Sequence, residues 1–424
     1  MIHFRRLLLA ACVIIPSICH AQLRKGEASI EFRIRSDEYV AVVNRAGWST
    51  ARSVRLCHRD SLSGMPVNAY LYNEFNANKV YRLIFAPVEK YLKEGDNIYF
   101  TPAGVLFNCN LAAFADNNGK RLCDKYHFFR LSDIRAFPKD SKNHKYQHVI
   151  LFGSMNFNAS PYEINDYCWQ YHTQDKQAMV EDIDYREESG SIGLGTYLDG
   201  NWAGINGLAE SRQEIKYIRS LNKFFTSVYT GTKACEELFK MEARWDSDYI
   251  VHISTHSFCS DITFSETDSY EEFHDKILKK YGLLFSGGGW TLNGGHKYIA
   301  HTPDQNSLHH PINDGLLYGA EIARMDMRNC DLVTLAACNT ATGIVTQNGI
   351  LGLQTAFKEA GVRSILMTLW SVNDKATAEF MKLFYTYLFA GNSKHESLEL
   401  ARKDFMNSPD YNHPLYWAPF ILLD

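Results

Sequence analysis

The 424-residue chain has little excess charge of either sign. Its 44 Lys and Arg residues stand against 48 Asp and Glu residues, which gives a formal net charge of −4 at pH 7. This near balance provides no electrostatic basis for binding nucleic acid or an anionic membrane surface, because both require a basic patch. Hydrophobic residues make up 46% of the chain and charged residues 22%, as is typical of a folded globular protein.

Several motifs of cofactor-dependent and metal-dependent enzymes are also missing. The sequence has neither a Walker-type loop nor a Gly-x-Gly-x-x-Gly turn, so nucleotide binding is unsupported. It lacks the Gly-x-Ser-x-Gly elbow of serine hydrolases. His252, His256 and Cys259 lie close in sequence, but no second cysteine pair and no His-Glu-x-x-His helix complete a zinc site. We therefore expect neither a cofactor nor a metal.

The N-terminus differs in kind from the rest of the chain. The basic pair Arg5-Arg6 precedes the apolar run Leu7–Ile15, and Ala21 supplies a small residue at a cleavage position. We expect a secretory signal peptide over residues 1–21 rather than a membrane span, because the apolar run is too short to cross a bilayer. The protein would then be exported, to the periplasm or outside the cell if it is bacterial. Residues 22–77 form an N-terminal segment of uncertain structure.

Such a leader leaves eight cysteines in the chain. Their irregular spacing does not resemble a small disulfide scaffold, although an exported protein can still pair some of them. They are Cys57, Cys109, Cys123, Cys168, Cys235, Cys259, Cys330 and Cys338.

From residue 148 onwards, apolar runs alternate with amphipathic stretches. His148–Gly153 and Phe225–Gly231 are apolar runs closed by glycine, which is typical of strands. Leu208–Leu221 places its isoleucines on one helical face with charges opposite, and Lys233–Met241 is also helical. The alternation predicts an α/β fold with a mainly parallel sheet and helices on both faces.

Two of the apolar runs lead directly into reactive residues. Tyr249–His256 ends in a histidine, and Asp331–Cys338 ends in a cysteine. Each resembles a buried parallel strand whose last residue projects at the carboxyl edge of the sheet, where open α/β folds place their chemistry. A histidine and a cysteine presented together can form a thiolate nucleophile and its proton-transfer partner. The region between them is less regular and reads as a long loop.

The surrounding segments resemble the CHAT domain, a caspase-like module of the same clan as separase, legumain and gingipain. The resemblance covers roughly residues 78–424, in the order of the family, and its motifs are specific. The matching segments are Leu83–Ala113, Thr230–Ala234, Tyr249–His256, Asp314–Leu317 with Glu321-Ile322, Leu335–Gly343, Gly349–Gly361, Thr368–Asp374 and Tyr416–Phe420.

The resemblance implies a caspase-like cysteine endopeptidase that acts on a protein or peptide substrate. Cys338 would attack the peptide carbonyl, and His256 would move the proton to the leaving amine. Main-chain amides at Ser257 and Cys338 would stabilise the oxyanion. Ser257 stands where the family usually has glycine, and a serine is strained if that position requires a positive φ. A catalytically inactive interaction module on the same fold is the alternative, and an activating protein partner is not identified by the sequence.

In caspase-like folds, which this chain resembles, the strand after the cysteine helps to build the pocket for the residue preceding the cut. In this chain that strand exits as Trp370–Asp374. Asp374 either faces the pocket and selects Lys or Arg by charge pairing, or it belongs to the N-cap of the following helix together with Asn373. Trp370 would line the same pocket.

Overall fold

A computed structural model gives the fold of this protein. The structure describes residues 23–64, 74–135, 137, 142–160, 163–164, 192–194, 205, 207–221, 225–260, 262–265, 267–292, 314–336, 343–345 and 350–424.

The strands of the described residues fall into one large sheet, one small sheet and one hairpin. In chain order they are β1 (Glu27–Arg35), β2 (Glu38–Arg45), β3 (Arg52–His58), β4 (Asn97–Thr101), β5 (His127–Arg130), β6 (His148–Met155), β7 (Ile192–Leu194), β8 (Phe225–Gly231), β9 (Tyr249–Ser254), β10 (Ser257–Ser260), β11 (Tyr281–Leu284), β12 (Leu316–Tyr318), β13 (Cys330–Ala336), β14 (Gly343–Val345), β15 (Ile350–Gly352), β16 (Ser364–Thr368) and β17 (Phe420–Leu423).

The helices are mostly short. They are α1 (Glu74–Val80, continued by a wider turn over Tyr81–Phe85), α2 (Ala86–Glu89), α3 (Ser211–Leu221), α4 (Glu236–Glu242), α5 (Tyr270–Lys280), α6 (Gly288–Trp290), α7 (Gly319–Ile322), α8 (Leu353–Glu359), α9 (Asp374–Phe389), α10 (Lys394–Asn407) and α11 (Pro414–Trp417). Single 3₁₀ turns connect the elements at Arg59–Leu62, Gly104–Asn108, Leu111–Ala113 and Leu122–Asp124.

The large sheet contains 11 strands in the order β3-β2-β1-β4-β5-β17-β16-β13-β9-β6-β8. The pairs from β16 through β13, β9 and β6 to β8 are all parallel. Antiparallel pairs occur where β17 joins β16 and along the N-terminal strands β1, β2 and β3. The predicted α/β fold with a mainly parallel sheet is therefore confirmed.

Two adjacent residues of β6 show that helices cover both faces of this sheet. A Cβ built on Gly153 would lie 2.7 Å from Ser211 Oγ and 2.8 Å from a side-chain carbon of Ile215, so α3 packs directly on that face. The side chain of Phe152 points to the opposite face, where its ring lies 5.6 Å from that of Phe239 in α4. The close approach of α3 explains why a glycine stands at this position.

Residues 27–58 extend the large sheet rather than forming a separate layer. β1 pairs with β4 in parallel and with β2 along its full length, and Ile30, Phe32 and Val43 are buried. Buried hydrophobic residues from Ala28 to Leu423 form one continuous core. The N-terminal strands and the strand that leads to His256 therefore share a single hydrophobic interior.

The prediction of a long loop between His256 and Cys338 is only partly right. Residues 257–318 include β10, β11 and β12, which form a small antiparallel sheet with β7, and the amphipathic helix α5. Ser269 caps α5 through a capping box with Glu272. The glycines at 287–289 made these elements hard to recognise from the sequence. They permit close contacts between chain segments and weaken the strand pattern.

Candidate active site

His256 lies just beyond the carboxyl end of β9. The six residues of β9 are all buried, which its mostly apolar pattern predicts for a central strand with both faces covered. Thr255 is still buried, and its hydroxyl donates to the carbonyl of Leu284. His256 is half-buried and is therefore the first side chain after β9 that reaches solvent.

β13 runs parallel to β9 and in register with it. Ser254 is the register partner of Ala336, and the N–H of Thr255 donates to the carbonyl of Ala336 over 3.3 Å. His256 follows Ser254 by two residues, and Cys338 follows Ala336 by two. The two chain segments thus leave the sheet at the same level. Cys338 itself, predicted as nucleophile and oxyanion amide, lies outside the described residues.

The imidazole of His256 packs against an aromatic ring. The ring of Phe157, which is buried in the turn after β6, lies 5.1 Å from it at an interplanar angle of 45°. The main chain is fixed as well, because the N–H of Leu284 donates to the carbonyl of His256 over 2.9 Å. The histidine is therefore held between the large sheet and the small one.

Ser257 begins β10 in an ordinary extended conformation. Its register partner is Leu283, and the residues with positive φ among the described non-glycine residues are Ser36, Asp37, Asn143 and Ser154. The strain that a positive φ would impose on Ser257 is absent.

Asp374 binds the main chain before α3 rather than its own helix end. Asn373 caps α9 instead, because its side chain accepts from the N–H groups of Lys375 and Ala376. Asp374 Oδ2 accepts from the N–H of Glu210 over 3.0 Å. Of the two roles left open for this segment, the cap therefore falls to Asn373.

The charges around Asp374 act in opposite directions. Burial raises the pKa of its carboxyl, and the carboxylates of Glu214 and Glu210 raise it further. The N–H of Glu210 and the imidazole of His256 lower it, but the net shift is upward. Asp374 is thus a half-buried acid in electrostatic contact with the histidine, and it loses its charge at a higher pH than an exposed aspartate.

Trp370 is buried and lies two residues after the end of β16. Its indole N–H donates to the carbonyl of Leu415 over 3.1 Å, so the ring is anchored against α11. The hydrogen bond satisfies the one polar group of this large side chain.

Sequence reasoning missed three residues near His256. Phe157 lies in a turn with no recognisable pattern. Glu210 binds Asp374 through its main-chain N–H, and no sequence motif indicates such a contact. Glu214 was wrongly placed among the charges on the exposed face of α3, because it is only 1% exposed and contacts β9.

The six described cysteines are not paired with one another. Cys57, Cys109, Cys123, Cys235, Cys259 and Cys330 form no disulfide with one another. Burial raises the pKa of Cys109 to about 12 and that of Cys123 to about 11, and it also raises the pKa of Cys57 and Cys330. These thiols stay protonated near neutral pH, so they are poor nucleophiles.

The sheet is mostly parallel and has a histidine at the end of one central strand. The neighbouring strand runs in register with it toward a cysteine. This arrangement is that of a caspase-like α/β fold. The family model of the CHAT domain matches residues 75–423, nearly the whole chain. The protein belongs to the CHAT domain family, which is part of the caspase-like peptidase superfamily. The family assignment made from the sequence is confirmed.

Curated relatives match only a part of the chain. Tetratricopeptide repeat protein 28 of Mus musculus is 35% identical over 114 residues, and its Homo sapiens counterpart is 31% identical over 113 residues. Each alignment covers 27% of this chain and 5% or 4% of the relative. The chain thus spans about one twentieth of the length of these relatives.

Proposed function

We propose that this protein is a cysteine endopeptidase that uses His256 and Cys338 as a catalytic dyad. The observation that carries the proposal is the register between β9 and β13, in which Ser254 faces Ala336 two residues before the histidine and the cysteine. Parallel strands in register deliver their following residues to one edge of the sheet, where a nucleophile and its base can meet.

The chemistry assigned to the dyad is acyl transfer in two steps. His256 accepts the thiol proton, and the Cys338 thiolate adds to the substrate carbonyl carbon to form a tetrahedral oxyanion. The oxyanion collapses as the C–N bond breaks, and His256 returns the proton to the leaving amine. Water, deprotonated by His256, then hydrolyses the thioester and releases the carboxyl product and the free thiol. Main-chain N–H groups at Ser257 and Cys338 are proposed to stabilise both oxyanions.

Substrate preference is assigned to Asp374, with Trp370 as a wall of the same pocket. The N–H of Glu210 holds the carboxylate of Asp374, whose charge interacts with that of His256, so a Lys or Arg side chain preceding the cut would find a carboxylate already in place. We therefore propose cleavage after basic residues.

A peptide pool tests the activity directly. The purified protein is incubated with peptides that vary at the residue preceding the cut, and the products are identified by mass spectrometry. Cys338→Ala and His256→Ala are the matched variants. Cleavage after Lys or Arg by the wild type and by neither variant is the expected result. A silent wild type would favour the inactive interaction module, and cleavage by the Cys338→Ala variant would assign the activity to another residue.

We also propose that the protein is exported through residues 1–21. None of the helices that the structure describes is long and apolar enough to cross a membrane. Expression of the full chain in a bacterial host, followed by N-terminal sequencing of the protein in each fraction, tests the proposal. A new N-terminus at Gln22 in the periplasmic fraction is expected, and an intact N-terminus in the cytoplasm would contradict it.

A further inference from the structure

A chain of buried polar side chains lies directly beneath His256. It consists of Glu214, His252, Ser254, Thr334 and Tyr385, and none of them is more than 2% exposed. We refer to these five residues as the buried brace. Polar groups without access to water are unfavourable unless they satisfy one another, so their arrangement is informative.

Hydrogen-bond contacts within the buried brace connect Tyr385 to Thr334 and Thr334 to His252. Burial raises the pKa of the Tyr385 phenol, so it remains a donor, and its oxygen lies 2.7 Å from Thr334 Oγ1. Thr334 Oγ1 lies 2.7 Å from His252 Nδ1. Thr334 Oγ1 also donates to the carbonyl of Val251 over 3.5 Å, so this one hydroxyl connects Tyr385, His252 and the main chain of β9.

Glu214 closes the other end of the brace. One of its oxygens, Oε2, accepts from the Ser254 hydroxyl over 3.0 Å. The other, Oε1, lies 3.2 Å from His252 Nε2, although the angle there is not that of a hydrogen bond. We treat the His252–Glu214 contact as an attraction between charges or dipoles rather than as a directional bond.

The two strands joined by the brace, β9 and β13, each lead to a residue of the proposed dyad. His252 lies on β9 four residues before His256, and Thr334 lies on β13 four residues before Cys338. His252 and Thr334 are register partners. A slip of either strand would therefore break the hydrogen bond between the two side chains.

The two helices joined by the brace both affect the position or the pKa of Asp374. Tyr385 belongs to α9, which starts at Asp374, and Glu214 belongs to α3. The residue before α3, Glu210, donates its N–H to Asp374. The carboxylate of Glu214 is also close enough to raise the pKa of Asp374, against the effect of His256.

We propose that the buried brace is a positioning unit in which Thr334 and His252 keep β9 and β13 in the register that presents His256 and Cys338, while Glu214 holds α3 so that Glu210 keeps Asp374 in place. This inference rests on the proposed peptidase function. The brace residues do not touch the substrate, so they are positioning residues.

The first test separates the hydroxyl of Thr334 from its shape. Thr334→Val keeps the volume and removes the hydroxyl, whereas Thr334→Ser keeps the hydroxyl. We expect kcat to fall at least about tenfold in the valine variant with a smaller change in KM, and to stay within about threefold of wild type in the serine variant. Equal kcat values for the two folded variants would overturn the proposal. Tyr385→Phe, which removes the donor to Thr334, serves if the valine variant does not fold.

The second test uses the charge of Glu214. Glu214→Gln removes a negative charge beside Asp374, so the carboxyl of Asp374 should ionise at a lower pH than in the wild type. The charged groups that act on Asp374 are Glu210 and Glu214 around the start of α3 and His256 after β9. We expect the midpoint of the Asp374 carboxyl resonance, assigned by comparison with Asp374→Asn in 13C-aspartate-labelled protein, to shift downward. Glu399→Gln on α10 is the charge-matched control.

The two measurements distinguish this inference from the proposed function. A wild type that cleaves no peptide refutes the peptidase, but a midpoint that moves only in Glu214→Gln would still establish the link between the brace and Asp374. An active wild type with an unchanged midpoint and equal Thr334 variants refutes the brace and leaves the peptidase standing. An equal shift in Glu214→Gln and Glu399→Gln would also overturn the inference, since it would reflect net charge alone.

Discussion

Asp374 Oδ2 and the main-chain N–H of Glu210 are joined by a hydrogen bond of 3.0 Å. The bond connects the first residue of α9 to the residue that precedes α3, 164 positions earlier in the chain. It fixes the carboxylate from outside its own helix, while Asn373 takes over the cap. The aspartate is therefore oriented by two elements before any substrate arrives.

This arrangement predicts a selective defect in Asp374→Asn. The amide oxygen can still accept from Glu210, but the charge that would pair with a basic substrate is lost. A charge-assisted hydrogen bond is worth about 1.5–3 kcal/mol, so kcat/KM for peptides cut after Lys or Arg should fall roughly 10-fold to 100-fold. Peptides with an uncharged residue before the cut should be affected much less. Equal loss for all peptides would refute the role in selection.

The same substitution should stabilise the protein at neutral pH. The folded-state pKa of Asp374 is raised above its ordinary value, so folding favours the protonated carboxyl. Its contribution to stability is fully present below the unfolded pKa and is lost as pH rises through the folded pKa. Asp374→Asn should therefore melt at a higher temperature than wild type at pH 7, and the difference should vanish below about pH 4. Melting curves at pH 7 and pH 3.5 check this, with Asp410→Asn as an exposed control.

Ser257→Gly should not increase activity. Ser257 lies in β10 with an extended backbone, so a glycine relieves no strain there. Glycine within a strand instead lowers stability by roughly 0.5–1 kcal/mol. Peptide cleavage and urea unfolding of the variant provide the measurement. A large gain in kcat would show that the residue after His256 adopts a different conformation in the active enzyme.

A thiol-directed peptidyl inhibitor should label Cys338 selectively. Burial raises the pKa of Cys57, Cys109, Cys123 and Cys330, so these thiols contain little thiolate at pH 7. A histidine-assisted thiol is more reactive. Mass spectrometry of the digested, labelled protein should place one equivalent on Cys338, and His256→Ala should lose it. Uniform labelling of all cysteines is the contrary outcome.

Lys240→Met should destabilise the fold in a pH-dependent manner. Lys240 Nζ lies 2.7 Å from both Glu236 Oε1 and Glu321 Oε1, and all three side chains are buried. Loss of the cation leaves two buried carboxyls without the positive charge that they share, which costs about 3–5 kcal/mol.

The pKa of Glu321 supplies the sign of that pH dependence. Burial and the charge of Glu236 raise the pKa of Glu321 well above its usual range, so the stability tied to its protonated form is lost as pH rises. Removal of Lys240 raises that pKa further. Urea unfolding should show a larger defect at pH 8 than at pH 5, whereas the exposed Lys120→Met should show less than about 1 kcal/mol at either pH.

The parallel strands and the location of His256 were predictable because they depend on local patterns. A mostly apolar run such as Tyr249–Ser254 suits a strand that is covered on both faces, and this requirement is visible within six consecutive residues. The position of His256 follows from the same run, since the first exposed side chain after the strand must lie at the sheet edge.

The buried brace was not predictable, because its partners are distant in the chain. Glu214 and His252 belong to ordinary-looking segments, and a glutamate on an amphipathic helix is normally assigned to solvent. Only the packing of α3 on β6, made possible by Gly153, brings Glu214 against β9. The N-terminal strands β1, β2 and β3 escaped recognition for a similar reason, since their place in the sheet depends on pairing with β4 across more than 60 residues.

β17 occupies a place in the middle of the large sheet although it is built from residues 420–423. It lies between β5 and β16, and its residues pair with both. Until those four residues are synthesised, β5 and β16 present open edges to each other and to any neighbouring chain. A polypeptide truncated before residue 420 would thus have two unpaired strand edges within its sheet. The same order of synthesis means that the sheet is completed only after translation has passed every residue of the proposed site.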